Sequence, residues 1–330
     1  MCQLNSTINF SIFDSNKILS NENPIAEGGF GSIYKGKYLS NPIVKKQMKK
    51  LDIPVFLKEI INTHIYRGNS SPAIYGMCED VLSTQDNKKL STPSIIIEYI
   101  NGGDLRHSIN HLDDCKVKLP ENKLRFLIYM IELAKELDYI HAKHLIHFDL
   151  KPENVLVQNF TIKLIDFGIC KEISNEKTST QTIRQGTKRY EPPENNEIDF
   201  DNLEQTDMGE TKKRVSTAFD IWSFGLILNE IFGSEKPYGE KNFNQISIAL
   251  ISKQPFQISK SINDKKLEAL INKCLIINPH ERINAKGIIY ILIEILKDNM
   301  ISYSKTIDIR NLYNKKESKY YIIIIYCILY

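Results

Sequence analysis

The segment TAFDIWSFGLILNEIF (217–232) is apolar almost all the way round a helix. A helix without a polar face has no side to offer to water, so other elements must enclose it. A chain with such a helix two-thirds of the way along must build a helical body around it. With 330 residues there is enough chain for one large domain or two lobes.

The rest of the pattern divides accordingly. From about 104 to 298 helices dominate. In ENKLRFLIYMIELAKELDYIHAKH (121–144), Leu124, Leu127, Ile128, Ile131 and Ala134 recur at helical spacing. NVLVQNFTIKLID (154–166) reads as two short strands joined at Gln158-Asn159, and the last clear helix spans roughly 285–298. From about 22 to 99 the pattern is short strands around one helix. NPIAEGGFGSIYKGKYL (23–39) predicts a β-hairpin, and PIVKK (42–46) a short strand. LDIPVFLKEIINTHIYR (51–67) predicts a helix with Asp52 as N-cap and Phe56, Ile60 and Ile61 on one stripe. PSIIIEYI (93–100) is a nearly continuous apolar strand. The expected architecture is α+β, with a small β-rich lobe and a larger helical one.

Composition excludes several classes. Apolar residues make up 42% and charged residues 25%, the profile of a soluble globular protein. A net charge of +3 argues for neither nucleic acid nor an acidic membrane. Cys2, Cys78, Cys115, Cys170, Cys274 and Cys327 form no C-x-x-C pair, so neither a zinc site nor a disulfide framework is expected. Scattered thiols fit a reducing compartment, and a cytoplasmic location is expected. The N-terminus lacks the basic start and apolar run of a signal peptide. The apolar ending YIIIIYCILY (321–330) covers only about half of a bilayer core as a helix, so no membrane span is expected. Residues 195–216, acidic and then basic without an apolar period, read as a surface loop or insertion.

Five separated motifs carry chemistry. In AEGGFGSIYKG (26–36), Gly28 and Gly31 leave backbone N–H groups open to phosphate oxygens. Taken alone, such a turn is more often an ordinary hairpin. Lys45 follows on the next strand and Glu59 on the next helix. Period-two alternation places Lys45 on the face of Ile43, which favours it over Lys46 as the lysine meeting a phosphate. LIHFDLKPENVL (145–156) contains Asp149, which can accept a hydroxyl proton. It also holds Lys151, which can neutralise a transferring phosphate, and Asn154, whose carbonyl suits a hard cation. IDFGI (165–169) places Asp166 between apolar residues. Read plainly it is a turn; read sharply it is a metal-binding carboxylate followed by a mobile glycine. Last, Glu194 of GTKRYEPPE (186–194) and the distant Arg282 can form a buried, structural ion pair.

In order and spacing these motifs resemble the eukaryotic protein-kinase family, over about residues 22–298. The resemblance implies a two-lobed fold, with a small lobe at 22–99 and a large lobe at 100–298. An N-terminal extension (1–21) and a C-terminal tail (299–330) flank it. It implies ATP and Mg2+ as cofactors, protein substrates, and no nucleic-acid partner. By resemblance, Ala26, Gly28 and Gly31 line the cover over the ATP phosphates, Ile33 and Ile43 lie above the adenine, and Leu156 lies below it. Lys45 pairs with Glu59 and holds the α- and β-phosphates. Ile97 gates the back of the pocket, Glu98 and Ile100 offer main-chain hydrogen bonds to adenine, and Asp104 reaches the ribose. Asp149 and Lys151 serve phosphoryl transfer, Asn154 and Asp166 ligate magnesium, and Asp220 anchors the catalytic loop from below. Lys151 and Thr187 resemble the serine/threonine branch, and the wording of 28–36 and 221–232 is similar to the tyrosine-kinase-like branch.

Two departures stand out. Ala26 occupies the first glycine position of the loop, where its methyl restricts positive φ but leaves the later glycines intact. Phe148 occupies the arginine position that in most family members orders a phosphorylated activation segment. Phenylalanine carries no charge for that task, so loop phosphorylation is not expected to be the main switch. The competing expectations are a pseudokinase that binds partners without transfer, and a tyrosine or dual-specificity kinase.

Overall fold

The apolar helix is enclosed on all sides. It forms Ala218–Gly233, and all but two of its residues, Ala218 and Phe232, are buried. The computed structural model describes residues 11–21, 23–27, 31–48, 60–61, 71–83, 89–111, 120–167, 170–172, 188–196, 216–253 and 255–306. Within these, the large lobe holds helices α1 (Leu105–Asn110), α2 (Pro120–Ala142), α3 (Ala218–Gly233), α4 (Phe243–Ile251), α5 (Lys265–Cys274) and α6 (Ala285–Thr306). One continuous core joins Leu127, Leu133 and Leu137 of α2 to Trp222, Phe224 and Leu228 of α3 and to Ile288 and Leu292 of α6. Helices α3 and α5 approach so closely that a Cβ at Gly225 would lie 2.6 Å from Cys274 Cβ. Side chains of the kind predicted along 121–144 face this core, as helical spacing requires.

The small lobe is one mixed sheet of seven strands. They are β1 (Ser11–Ile12), β2 (Ile18–Ser20), β3 (Ala26–Glu27), β4 (Gly31–Tyr38), β5 (Asn41–Met48), β6 (Ile74–Ser83) and β7 (Lys89–Glu98). The order is β1-β6-β7-β5-β4-β2, with β3 also paired to β4, and only β1 runs parallel to its neighbour. The α+β, two-lobed expectation is met. The boundary drawn at residue 22 falls inside this sheet, because β2 already pairs with β4. At the other end, α6 continues past 298 to Thr306.

Residues 11–18 cover the outer face of the sheet. Phe13 packs edge-on against Tyr38 at 4.7 Å, and Ile18 joins Ile43, Cys78 and Ile96 in a small cluster. Gly76 permits this: a Cβ there would meet Ser11 O at 2.0 Å. The inner face carries a second cluster, Met48, Ile60 and Ile95, with Ile97 packed against it. Both faces of β5 are therefore covered. Two-stranded units β9–β10 (Val155–Gln158, Thr161–Leu164) and β8–β11 (Leu145–Ile146, Lys171–Glu172) lie where the chain passes the cleft. Among the described residues no helix is long and apolar enough to cross a membrane. The calls on 1–10, 197–215 and 307–330 lie outside the described residues.

Candidate active site

The loop between β8 and β9 is held from below by one carboxylate. Asp220, in the first turn of α3, is fully buried. Its Oδ2 accepts the His147 N–H at 2.9 Å, and its Oδ1 accepts the Phe148 N–H at 3.0 Å. His141 Nε2 lies 2.9 Å from the same Oδ2. These bonds hold Phe148 at φ 71°, a left-handed conformation that costs a bulky side chain about 1–2 kcal/mol. The ring recovers part of that by stacking on Phe219 at 4.2 Å and 15°. Phe148 is thus a buried apolar contact within the loop.

Beyond Phe148 the loop presents its polar groups together. Lys151 Nζ donates to Asp149 Oδ2 at 2.6 Å. Asn154 Nδ2 donates to the Asp149 carbonyl at 2.8 Å and to its Oδ2 at 3.1 Å. Asn154 O accepts the Ile165 N–H at 3.0 Å, which draws the Asp166 segment against the loop. His147 Nε2 reaches Ile165 O at 2.9 Å, and its ring meets Phe167 edge-on at 5.3 Å. Asp166 itself stands at φ 67°.

The strand lysine requires a correction. Lys46 Nζ lies 3.8 Å from Asp166 Oδ1, whereas Lys45 Nζ lies over the outer Tyr34 ring, 5.4 Å from its centroid. Lys46 pairs with Ile33 across β4 and β5, so these two share the cleft face with Val44. Ile43 and Lys45 take the other face, and Ile43 is buried under Ile18 in the outer cluster. Alternation was counted correctly, but from the wrong reference. Burial of Ile43 points to the layer formed by residues 11–18, not to the cleft. Ile43 accordingly faces the outer layer, and Val44, which sequence reading passed over, shares the face of Lys46 and Ile33. Ile97 pairs with Val44 and packs on the Ile60 cluster at the back.

The floor and the hinge follow from β9. Its alternation buries Val155 and Val157 and leaves Leu156 half-buried towards the cleft. Leu156 bridges to Asp104, and Val157 N donates to Gly103 O at 2.9 Å. Asp104 also N-caps α1, accepting the His107 N–H at 2.6 Å. Glu98 ends β7, and Ile100 is buried just beyond it. Ala26 and Gly31 lie on β3 and β4. Gly28 and Glu59 lie outside the described residues.

A second polar cluster was missed in the sequence. Arg106 Nε donates to Glu153 Oε1 at 2.8 Å, and its guanidinium binds both oxygens of Glu230 and the Tyr190 hydroxyl. Burial works against the Arg106 charge, but the bonds to Glu230 and Glu153 outweigh it and hold the group charged. Burial and then the Glu230 charge push the Tyr190 hydroxyl above its ordinary range, so it stays a donor, 2.6 Å from Glu230 Oε2. The signal was Glu230 itself: a carboxylate inside a helix with no polar face requires a partner. The expected Glu194–Arg282 pair forms, with Arg282 Nη2 2.7 Å from Glu194 Oε2.

The cleft thus gathers Asp149, Asn154 and Asp166 with the amines of Lys46 and Lys151. Oxygen donors of this kind suit a hard cation, and the Asn154 amide nitrogen is already committed to Asp149, leaving its carbonyl as the ligand atom. Among the described residues no group of three His, Cys, Asp or Glu side chains is placed to hold a metal ion by itself. The family profile for the protein kinase domain matches residues 19–291. The chain belongs to the protein kinase family. The kinase domain is similar to the human serine/threonine-protein kinase MRCK alpha, 29% identical over 278 residues, which cover 80% of this chain and 14% of that protein. It is also similar to the Arabidopsis thaliana serine/threonine-protein kinase RUNKEL, at 30% over 245 residues, covering 66% of this chain and 16% of that one. A probable serine/threonine-protein kinase of Dictyostelium discoideum is 33% identical over 225 residues, covering 65% of this chain and 47% of its own length. The kinase chain therefore spans less than half the length of each of these relatives. As in protein kinases generally, ATP and Mg2+ are the cofactors that a cleft of this family takes.

Proposed function

We propose that this chain is an active protein serine/threonine kinase. The observation that carries the reading is the meeting of Asp149, Lys151, Asn154, Asp166 and Lys46 in one cleft. Bound MgATP supplies the γ-phosphoryl group and the divalent charge. Asp149 orients the acceptor hydroxyl and takes its proton. Lys151 sits beside that carboxylate and offsets charge developing on the transferred group. Lys46 holds the α- and β-phosphates, the role first assigned to Lys45, and Asn154 and Asp166 hold the cation. Ile33, Val44 and Ile97 would hold an adenine from above and Leu156 from below, with the main chain of Glu98 and Ile100 at its edge. Ala26 and Gly31 would lie over the phosphates, and Asp104 would reach the ribose with the oxygen not used in capping. The relatives named above support serine and threonine as acceptors, and six scattered cysteines without a C-x-x-C pair support a reducing, cytoplasmic setting.

Because Phe148 packs on Phe219, the catalytic loop takes its shape from Asp220 and apolar contact. Activity therefore does not depend on a phosphorylated segment. The test is phosphoamino-acid analysis of a generic protein substrate after incubation with the purified chain and labelled ATP. Label is expected on serine and threonine, and phosphatase treatment of the enzyme is expected to change the rate less than about twofold, well under the effect of an ordering charge pair. Label on tyrosine, or none at all, would refute the assignment; a large loss after dephosphorylation would refute the role of Phe148.

A further inference from the structure

Behind the hinge, side chains from both lobes meet outside the cleft. Lys163 stands on β10, where Ile162 and Leu164 enter the large-lobe core and Lys163 faces the opposite way. Its Nζ donates to the Ser71 carbonyl at 3.2 Å and lies 3.9 Å from Glu98 Oε2. Ser71 Oγ donates to Glu136 Oε1 of α2 at 3.4 Å, and both residues are buried. Glu98 Oε2 also accepts the Ala73 N–H at 3.0 Å, while Glu98 N–H donates to Ala73 O at 2.9 Å. Segment 71–73 is thus stitched to the hinge on one side and to the large lobe on the other.

These contacts converge on the residue that opens the hinge. A main-chain donor and acceptor recognise a purine only when their strand end sits at a fixed distance from the floor of the pocket. Lys163 pairs with Leu156 in the β9–β10 register. The two-stranded unit that supplies the adenine floor therefore also reaches the hinge. We propose that Lys163 is a positioning residue that fixes the hinge against the adenine floor through Glu98 and Ser71, and so sets affinity for the purine base. The inference rests on the nucleotide reading of the cleft and deepens it. Lys163 is expected to act at the adenine end, through its contacts with Glu98 of the hinge and with Ser71.

The experiment is steady-state kinetics on Lys163→Met and Lys163→Arg beside the wild-type chain, with adenosine and inorganic tripolyphosphate as competing inhibitors. In Lys163→Met the KM for ATP and the Ki for adenosine are expected to rise together by about fivefold, the scale of a partly exposed charged contact. The kcat and the Ki for tripolyphosphate should stay within about twofold, and Lys163→Arg should restore the wild-type values. An unchanged KM overturns the proposal. So does a parallel loss of adenosine and tripolyphosphate binding, which would mark general loosening, or a failure of arginine to rescue. A wild-type chain that binds adenosine but transfers no phosphate would defeat the kinase reading while leaving this one standing.

Discussion

Asp149→Asn is expected to lower kcat by about a thousandfold while leaving the fold and the affinity for ATP nearly unchanged. The amide keeps the size of the carboxylate and can still accept from Lys151, but it cannot take a hydroxyl proton. Loss of a positioned general base costs about 10²–10⁴ in rate. The loop should survive, because Asn154 also bonds to the Asp149 main-chain carbonyl, which the substitution does not touch. Thermal unfolding should shift by no more than about 2 °C, in line with a substitution that leaves packing intact. Initial rates together with a melting curve check both halves. Retention of more than a tenth of the wild-type rate would remove Asp149 from its assigned role.

Asp220→Ala should have the largest effect on stability. The carboxylate satisfies two buried backbone N–H groups and lies beside His141 Nε2. Without it these donors lose their partners, and Phe148 must still occupy a left-handed backbone conformation. Breaking such a buried charged network costs about 3–5 kcal/mol. For a chain of this size that corresponds to a fall in Tm of about 4–7 °C. Activity measured well below the new Tm should also drop about a hundredfold, because Asp149 follows directly on the released loop. Asp220→Asn should be milder, since its carbonyl can keep one of the N–H bonds. A Tm unchanged in Asp220→Ala would mean that the loop is held by something else.

Much of this was legible in the sequence for a simple physical reason. The enclosed helix is local, and periodicity fixes it without knowledge of neighbours. The spacing from His147 to Asn154 and Asp166 was readable through the resemblance to a known family. What stayed hidden depends on pairing across long distances in the chain. Nothing in residues 11–18 announces that Phe13 and Ile18 will cover the outer face of the sheet, since the contacts that place them are with Tyr38, Met77 and Cys78. That missing layer is why Ile43 pointed to the wrong lysine. Arg106 was missed similarly: its partners come from three later segments, Glu153, Tyr190 and Glu230.

The choice between the two lysines tests the assembled cleft most directly. The measurement is the initial rate of phosphoryl transfer at saturating acceptor for Lys46→Met and Lys45→Met, side by side. Lys46→Met is expected to lose about a hundredfold in kcat/KM for ATP, the usual scale for removing one preorganised charge from a transfer site. Lys45→Met, on the outer face beside Tyr34, should remain within about threefold of wild type. The reverse ranking, or equal losses in the two variants, would contradict the placement of Lys46 beside Asp166 and with it the account of the cleft.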